Sequence, residues 1–243
     1  MKIVLIPGLF SSFFMMEKLK DRLKGLYPTA NIDSISSSWF TNVSNAKEEL
    51  GKHISDNYSP DEDLVIIGHS FGGQLATHFI DDSRVKAVVT IGAPSHNPMD
   101  YPFRVWPIQN LYFFQSLFNF RFRLKEKHRA KLFGGVLPDY VEALSYGWLA
   151  LQVCMGAVLG NFAPKVKSVG KLLAFYCDGD PTILPKVVKK LARRYHGREI
   201  GISCPHHYPI LEDNKLDLIV SETQAYLTEL LSLIHISEPT RPY

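Results

Sequence analysis

Short uncharged runs rich in Val, Ile and Leu recur along the chain, and between them apolar residues return every three or four positions. The first pattern suits strands buried on both faces, the second helices with one apolar stripe. Strands are therefore expected at residues 3–6, 32–35, 64–67, 85–91, 172–176 and 199–202. Helices are expected at 15–26, 46–57, 74–80, 185–195 and 215–230. Strands with few charges, separated by helices of this length, predict a doubly wound, mostly parallel α/β sheet covered on both faces.

The alternation lapses between Gly92 and Lys171, where the sequence is aromatic-rich and helical in pattern. There "WPIQNLYFFQSLFNFRF" sets Leu111, Phe114, Phe118 and Phe122 on one helical face, with Phe113, Leu117 and Phe120 on an adjacent one. So wide an apolar surface needs neighbours on more than one side. The expectation is a helical cap, residues 96–165, inserted after the fourth strand and lying over the carboxyl ends of the strands, where such sheets bind ligands. The core is then residues 1–95 and 166–230.

Composition narrows the function classes. With 243 residues, 46% hydrophobic and 21% charged, the chain is long enough and apolar enough for one substantial core. A net charge of +3 is too small to indicate nucleic-acid binding, and no Gly-rich phosphate-binding loop is present. The three scattered cysteines indicate no disulfide framework. The opening run "IVLIPGLF" is broken too early by Pro7-Gly8 for a signal peptide, so a cytoplasmic setting is the default expectation. Residues 143–164 carry no charge over a length that could cross a bilayer. Gly147, Gln152, Gly156, Gly160 and Asn161 interrupt them, favouring a buried or membrane-facing helix over a span. "RFRLKEKHRAK", residues 121–131, holds six Lys/Arg against one Glu. It reads first as a solvated face, with peripheral docking on an anionic membrane as the sharper alternative.

The chemistry centres on "DLVIIGHSFGGQ", residues 63–74. Ser70 stands in a G-x-S-x-G segment between a predicted strand and a predicted helix. Glycines two residues to either side let strand and helix approach closely, and the tight turn pushes the serine Oγ out over the sheet edge. His69 is read as a packing residue that points elsewhere.

The pentapeptide, its strand–helix setting and the order of later motifs resemble the α/β-hydrolase superfamily, in particular its small lipase- and esterase-like members. The resemblance covers about residues 1 to 230, with the first antiparallel hairpin of larger members missing. It implies a serine hydrolase with Ser70 as nucleophile. It implies oxyanion-hole N–H groups from Phe71 and from Leu9 in "IPGLF". In "CPHHYPILED" it points to His207 as the base, with His206 open as the alternative. In "LLAFYCDGDPTILP" the family register makes Asp180 the acid, with Asp178 or Asp100 left open. The order nucleophile, acid, histidine matches the family's own. Cys204 beside the two histidines lacks a second Cys/His pair at ligand spacing, so neither metal nor cofactor is expected.

The aromatic cap suggests an apolar acyl or lipid-like substrate, with Phe10, Phe114 and Phe118 as candidate substrate-binding side chains. Carboxyl-ester hydrolysis is the leading reading. Thioesterase or acyltransferase chemistry on the same residues, or a non-catalytic lipid-binding role, are the alternatives. Finally "LSLIHISEPTR", residues 231–241, resembles the translation of a sequencing-library adapter, and residues 231–243 are set apart from the fold.

Overall fold

Alternate residues of β1 (Lys2–Ile6) enter opposite cores: Ile3 and Leu5 join one hydrophobic cluster, Val4 and Ile6 the other. A neighbouring strand, β3 (Leu64–His69), divides in the same way, Val65 and Ile67 against Leu64 and Ile66. With no face left to water, such strands need uninterrupted apolar sequence. The other strands are β2 (Asn31–Ser34), β4 (Val85–Ile91), β5 (Leu172–Cys177) and β6 (Arg198–Ile202). The sheet order is β2-β1-β3-β4-β5-β6, and every pairing is parallel. The computed structural model describes residues 1–8, 13–35, 43–95, 170–180 and 183–237. Among them no antiparallel pair occurs.

Among the described residues, five α-helices complete the layers: α1 (Glu17–Leu26), α2 (Val43–Asn57), α3 (Phe71–Ala76), α4 (Pro185–Arg194) and α5 (Asp213–Ser237). Leu19 and Leu23 of α1 and Leu216, Ile219 and Leu227 of α5 pack on the Ile3–Leu5 side. Leu50 and Ile54 of α2, Leu75 of α3 and Leu191 of α4 pack on the other. The doubly wound α/β arrangement expected from the sequence is thus present. The expected cap, residues 96–165, lies outside the described residues, as do the uncharged stretch 143–164 and the basic run 121–131. Among the described residues, no helix is long and apolar enough to cross a membrane.

Three helices differ clearly from expectation, α2 starting at Val43 instead of residue 46. The one expected at 74–80 starts at Phe71 and gives way after Ala76 to a 3-10 turn, Thr77–Phe79. Its first turn is locked onto the strand end, because the N–H groups of Gly73 and Gln74 both donate to the Ser70 carbonyl, at 3.0 and 3.2 Å. The last helix begins at Asp213 and continues to Ser237, through part of the segment set apart above. That segment is rich in Leu and Ile and has no proline before Pro239, so it can extend a helix.

Strand order reverses at β1, which is followed by β2 on one side and β3 on the other. Such a reversal opens a crevice beyond the carboxyl ends of the two central strands. At this point α3 presses against β1. A Cβ on Gly72 would lie 2.3 Å from the Ile6 carbonyl oxygen and 2.4 Å from that of Pro7, an overlap with backbone that nothing flexible could relieve. We expect Gly72→Ala to cost about 3 kcal/mol or more. Gly25→Ala, in α1 with nothing within 4 Å of the added carbon, should stabilise by about 0.5–1 kcal/mol. Urea denaturation of the two variants measures both.

Candidate functional site

The residues of interest follow the carboxyl ends of five strands, β1, β3, β4, β5 and β6. Ser70 follows β3 with φ 52° and ψ −124°, a conformation L residues rarely adopt. Its N–H donates to the Ile91 carbonyl at the end of β4, 2.8 Å away, so the strained turn is pinned to the sheet as well as to α3. A Cβ on Gly8, just past β1, would lie 3.0 Å from Ser70 Cβ, which places the two strand ends in contact. Ser70 itself is half-buried.

Beyond β5 and β6 the chain brings a carboxylate and an imidazole together. Nδ1 of His207 lies 2.6 Å from Oδ2 of Asp180, and both residues are almost fully buried. The other carboxylate oxygen, Oδ1, accepts the Ile183 N–H at 3.0 Å. Asp180 is therefore held at both oxygens, and a buried carboxylate needs such partners. Because that carboxylate accepts, Nδ1 of His207 carries a proton, and in the neutral ring Nε2 presents a lone pair. Nε2 is buried and has no hydrogen-bond partner among the described residues. Gly92, at φ 59° past β4, makes room for the pair: a Cβ there would lie 3.2 Å from His207 Cε1 and 3.7 Å from Asp180 Oδ2.

The alternative residues go elsewhere. Asp178 continues the β5–β6 ladder, its N–H donating to the Ile202 carbonyl at 3.0 Å, and its side chain is exposed. His206 turns away from Asp180, with Nε2 2.5 Å from Glu212 Oε1. Asp100 lies outside the described residues, as do Leu9, Phe10, Phe114 and Phe118. Phe71 opens α3 directly after Ser70 and is buried.

Two groupings go beyond sequence spacing, which had set only Cys204 beside the histidines. Cys204, His206 and Glu212 bring one ligand atom each within 4.8 Å of one another, a sulfur, nitrogen and oxygen set of the kind zinc accepts. Here it is closed by its own hydrogen bonds. The Tyr208 N–H donates to His206 Nδ1 at 3.1 Å, which leaves the ring proton on Nε2 facing Glu212. A metal at Nε2 would have to break both contacts.

The second grouping involves His69, whose Nε2 lies 2.8 Å from the backbone carbonyl oxygen of His207. The rings of the two histidines are 4.8 Å apart, and that of Tyr208 is 5.4 Å from His69. His69 is buried, as expected of a packing residue, and reaches the loop carrying His207. The available signal was a histidine ending an otherwise apolar strand, where a polar tip needs a partner. Burial first, then the neighbouring His207, hold its imidazole down to about 3, so it is neutral.

Comparisons with known proteins come to the same superfamily. Residues 3–218 match the profile described as Alpha/beta hydrolase family. Among solved structures, the RedJ thioesterase from the prodiginine biosynthetic pathway of Streptomyces coelicolor is similar at TM-score 0.61 and 12% identity, over 93% of this chain and 85% of that one. ClbQ from the colibactin NRPS/PKS pathway gives 0.63 and 14%, over 96% and 98%. MGS-MChE2, an alpha/beta hydrolase enzyme from the metagenome of lagoon sediments at Mar Chica, Morocco, gives 0.60 and 16%, over 96% and 91%. No curated protein matches the sequence.

Two stability measurements check the local physics. Replacing Ser70 by Gly relieves about 1–3 kcal/mol of backbone strain and costs about 0.5–1 kcal/mol of unfolded-chain entropy, so a net gain of about 1 kcal/mol is expected in denaturant. Acidification should act through His69, whose value in the fold is depressed below its ordinary 6.5. As pH falls through 6.5 the unfolded chain takes up a proton that the folded one refuses, and stability declines by up to about 1.4 kcal/mol per pH unit. His69→Gln, which does not titrate, should make the stability–pH slope between pH 6 and 4.5 shallower by about one proton.

Proposed function

The chain belongs to the alpha/beta hydrolase family, and on that premise we propose that it is a serine hydrolase cleaving esters of apolar acyl groups through an acyl-enzyme. The observation carrying this reading is the Asp180–His207 bond of 2.6 Å, with the unpartnered Nε2 buried at the same sheet edge as the strained Ser70.

The chemistry follows from those positions. Nε2 of His207 takes the Ser70 hydroxyl proton as Oγ attacks the acyl carbon. The new C–O bond sends the carbonyl electron pair onto oxygen, where the N–H groups of Phe71 and Leu9 would receive the charge. Collapse expels the leaving group, which collects the proton from the His207 imidazolium, while Asp180 steadies that cation without being protonated. Water then attacks the acyl-enzyme with His207 again as base, releasing the acid and restoring Ser70. Burial of the Asp180–His207 pair strengthens their attraction relative to water.

Thioester cleavage is the second reading. It is favoured by the description of the similar RedJ structure as a thioesterase. The same proton from His207 serves a sulfur leaving group as well as an oxygen one. The test is hydrolysis of matched oxygen-ester and thioester panels of increasing acyl length. Turnover of at least one panel should fall about 10³-fold or more in Ser70→Ala, and Asp180→Asn should lower kcat about 10²–10⁴-fold. Turnover unchanged in Ser70→Ala would refute the mechanism, and the faster panel decides between the two readings.

A further inference from the structure

We propose that His69 is a positioning residue: its Nε2–H···O=C bond to His207 fixes the backbone of the proposed base relative to the strand that carries Ser70. This rests on the reading above that His207 is the base.

Chemistry settles the direction of the bond. A backbone carbonyl only accepts, so His69 carries its proton on Nε2 and a lone pair on Nδ1. Nδ1 is buried and without a partner among the described residues, which leaves the Nε2 contact, at 2.8 Å, as the polar anchor of the ring. Satisfying one nitrogen of a fully enclosed imidazole while orphaning the other carries an energetic cost. A phenyl ring would fill similar space without it. The bond therefore does something packing alone would not.

What it does follows from where the two ends sit. His69 is the last residue of β3 and is bonded through its own carbonyl carbon to Ser70. His207 lies 138 residues away in the loop between β6 and the 3-10 turn Pro209–Leu211. Its side chain is tied to Asp180, and so to the end of β5. That contact fixes the ring but not its distance from Ser70, because β5 and β3 are separated in the sheet by β4. The His69 bond supplies the missing reference. It runs from the residue covalently next to the nucleophile to the backbone of the base, so a displacement of one carries the other. A shift of about 1 Å between reacting groups costs about 10²-fold in rate, so one such bond is enough to matter. The neutrality of His69 fits this role: a second cation 4.8 Å from the His207 ring would oppose the imidazolium that forms there.

Two substitutions separate donor from ring. His69→Gln keeps an N–H near the Nε2 position and loses the ring; His69→Phe keeps a ring and loses the donor. Two readouts are needed: kcat and KM for ester hydrolysis, and the low-field NMR resonance of the Nδ1 proton shared by His207 and Asp180. The second exists without substrate. For His69→Phe we expect kcat to fall about 100-fold with KM nearly unchanged, and the resonance to broaden or vanish. For His69→Gln we expect kcat within about threefold of the parent, consistent with a retained donor, and a retained resonance. The reverse pattern, Phe tolerated and Gln damaging, would show that the ring only fills space and overturns the proposal. If His69→Phe does not fold, His69→Asn, whose amide is too short to reach the carbonyl, replaces it. A parent protein that hydrolyses no ester or thioester, yet shows the expected resonance changes, would sink the hydrolase reading and leave the positioning role standing.

Discussion

The site hangs on the turn at Ser70. Its φ of 52° is unfavourable for a serine, and the structure tolerates it because three neighbours leave no other path. The Ser70 N–H is held by β4, its carbonyl takes two N–H groups from the first turn of α3, and Gly72 lies against the carbonyls of Ile6 and Pro7. Each constraint comes from a different element, so the strain is distributed over the packing of β1, β3, β4 and α3.

The Asp180–His207 pair is built on a separate principle. No backbone strain holds these residues. They are fixed by burial together with satisfied bonding: two acceptor contacts on the carboxylate, one donor contact on Nδ1, and the space left by Gly92. A charged group out of water is tolerable only when paired in this way. The serine is thus positioned by steric constraint and its proposed partners by electrostatic necessity. His69 stands where the two systems touch, covalently next to one and hydrogen-bonded to the other.

Much of the fold was legible because a parallel sheet demands apolar strands. The run "LVIIGH" of β3 and the run "VKAVVTI" of β4 could scarcely serve another purpose. Helix boundaries were less legible where they depend on tertiary contact. Nothing in "SFGGQLA" announces that a helix begins at Phe71, since two glycines argue against it; the Ser70 carbonyl and the close approach to β1 decide the matter. Sequence alone left Asp178 beside Asp180 and His206 beside His207. In the structure Asp178 still follows the β5–β6 ladder and the His206 ring meets Glu212, both long-range facts. His69 was read as a packing residue pointing elsewhere, and its bond to the His207 carbonyl was not legible in the sequence. Adjacent residues at a sharp turn do diverge, and the divergence carries this one into the loop that supplies the proposed base.

The proposed chemistry requires Ser70 Oγ to be the attacking atom. The most direct measurement is to treat the folded protein with a serine-directed fluorophosphonate, digest it and locate the adduct by peptide mass spectrometry. A single adduct on Ser70 is expected, formed quickly in the parent and very slowly in His207→Ala. An adduct on another hydroxyl, such as the buried Ser95, or an unlabelled Ser70 in protein that turns over esters, would contradict it.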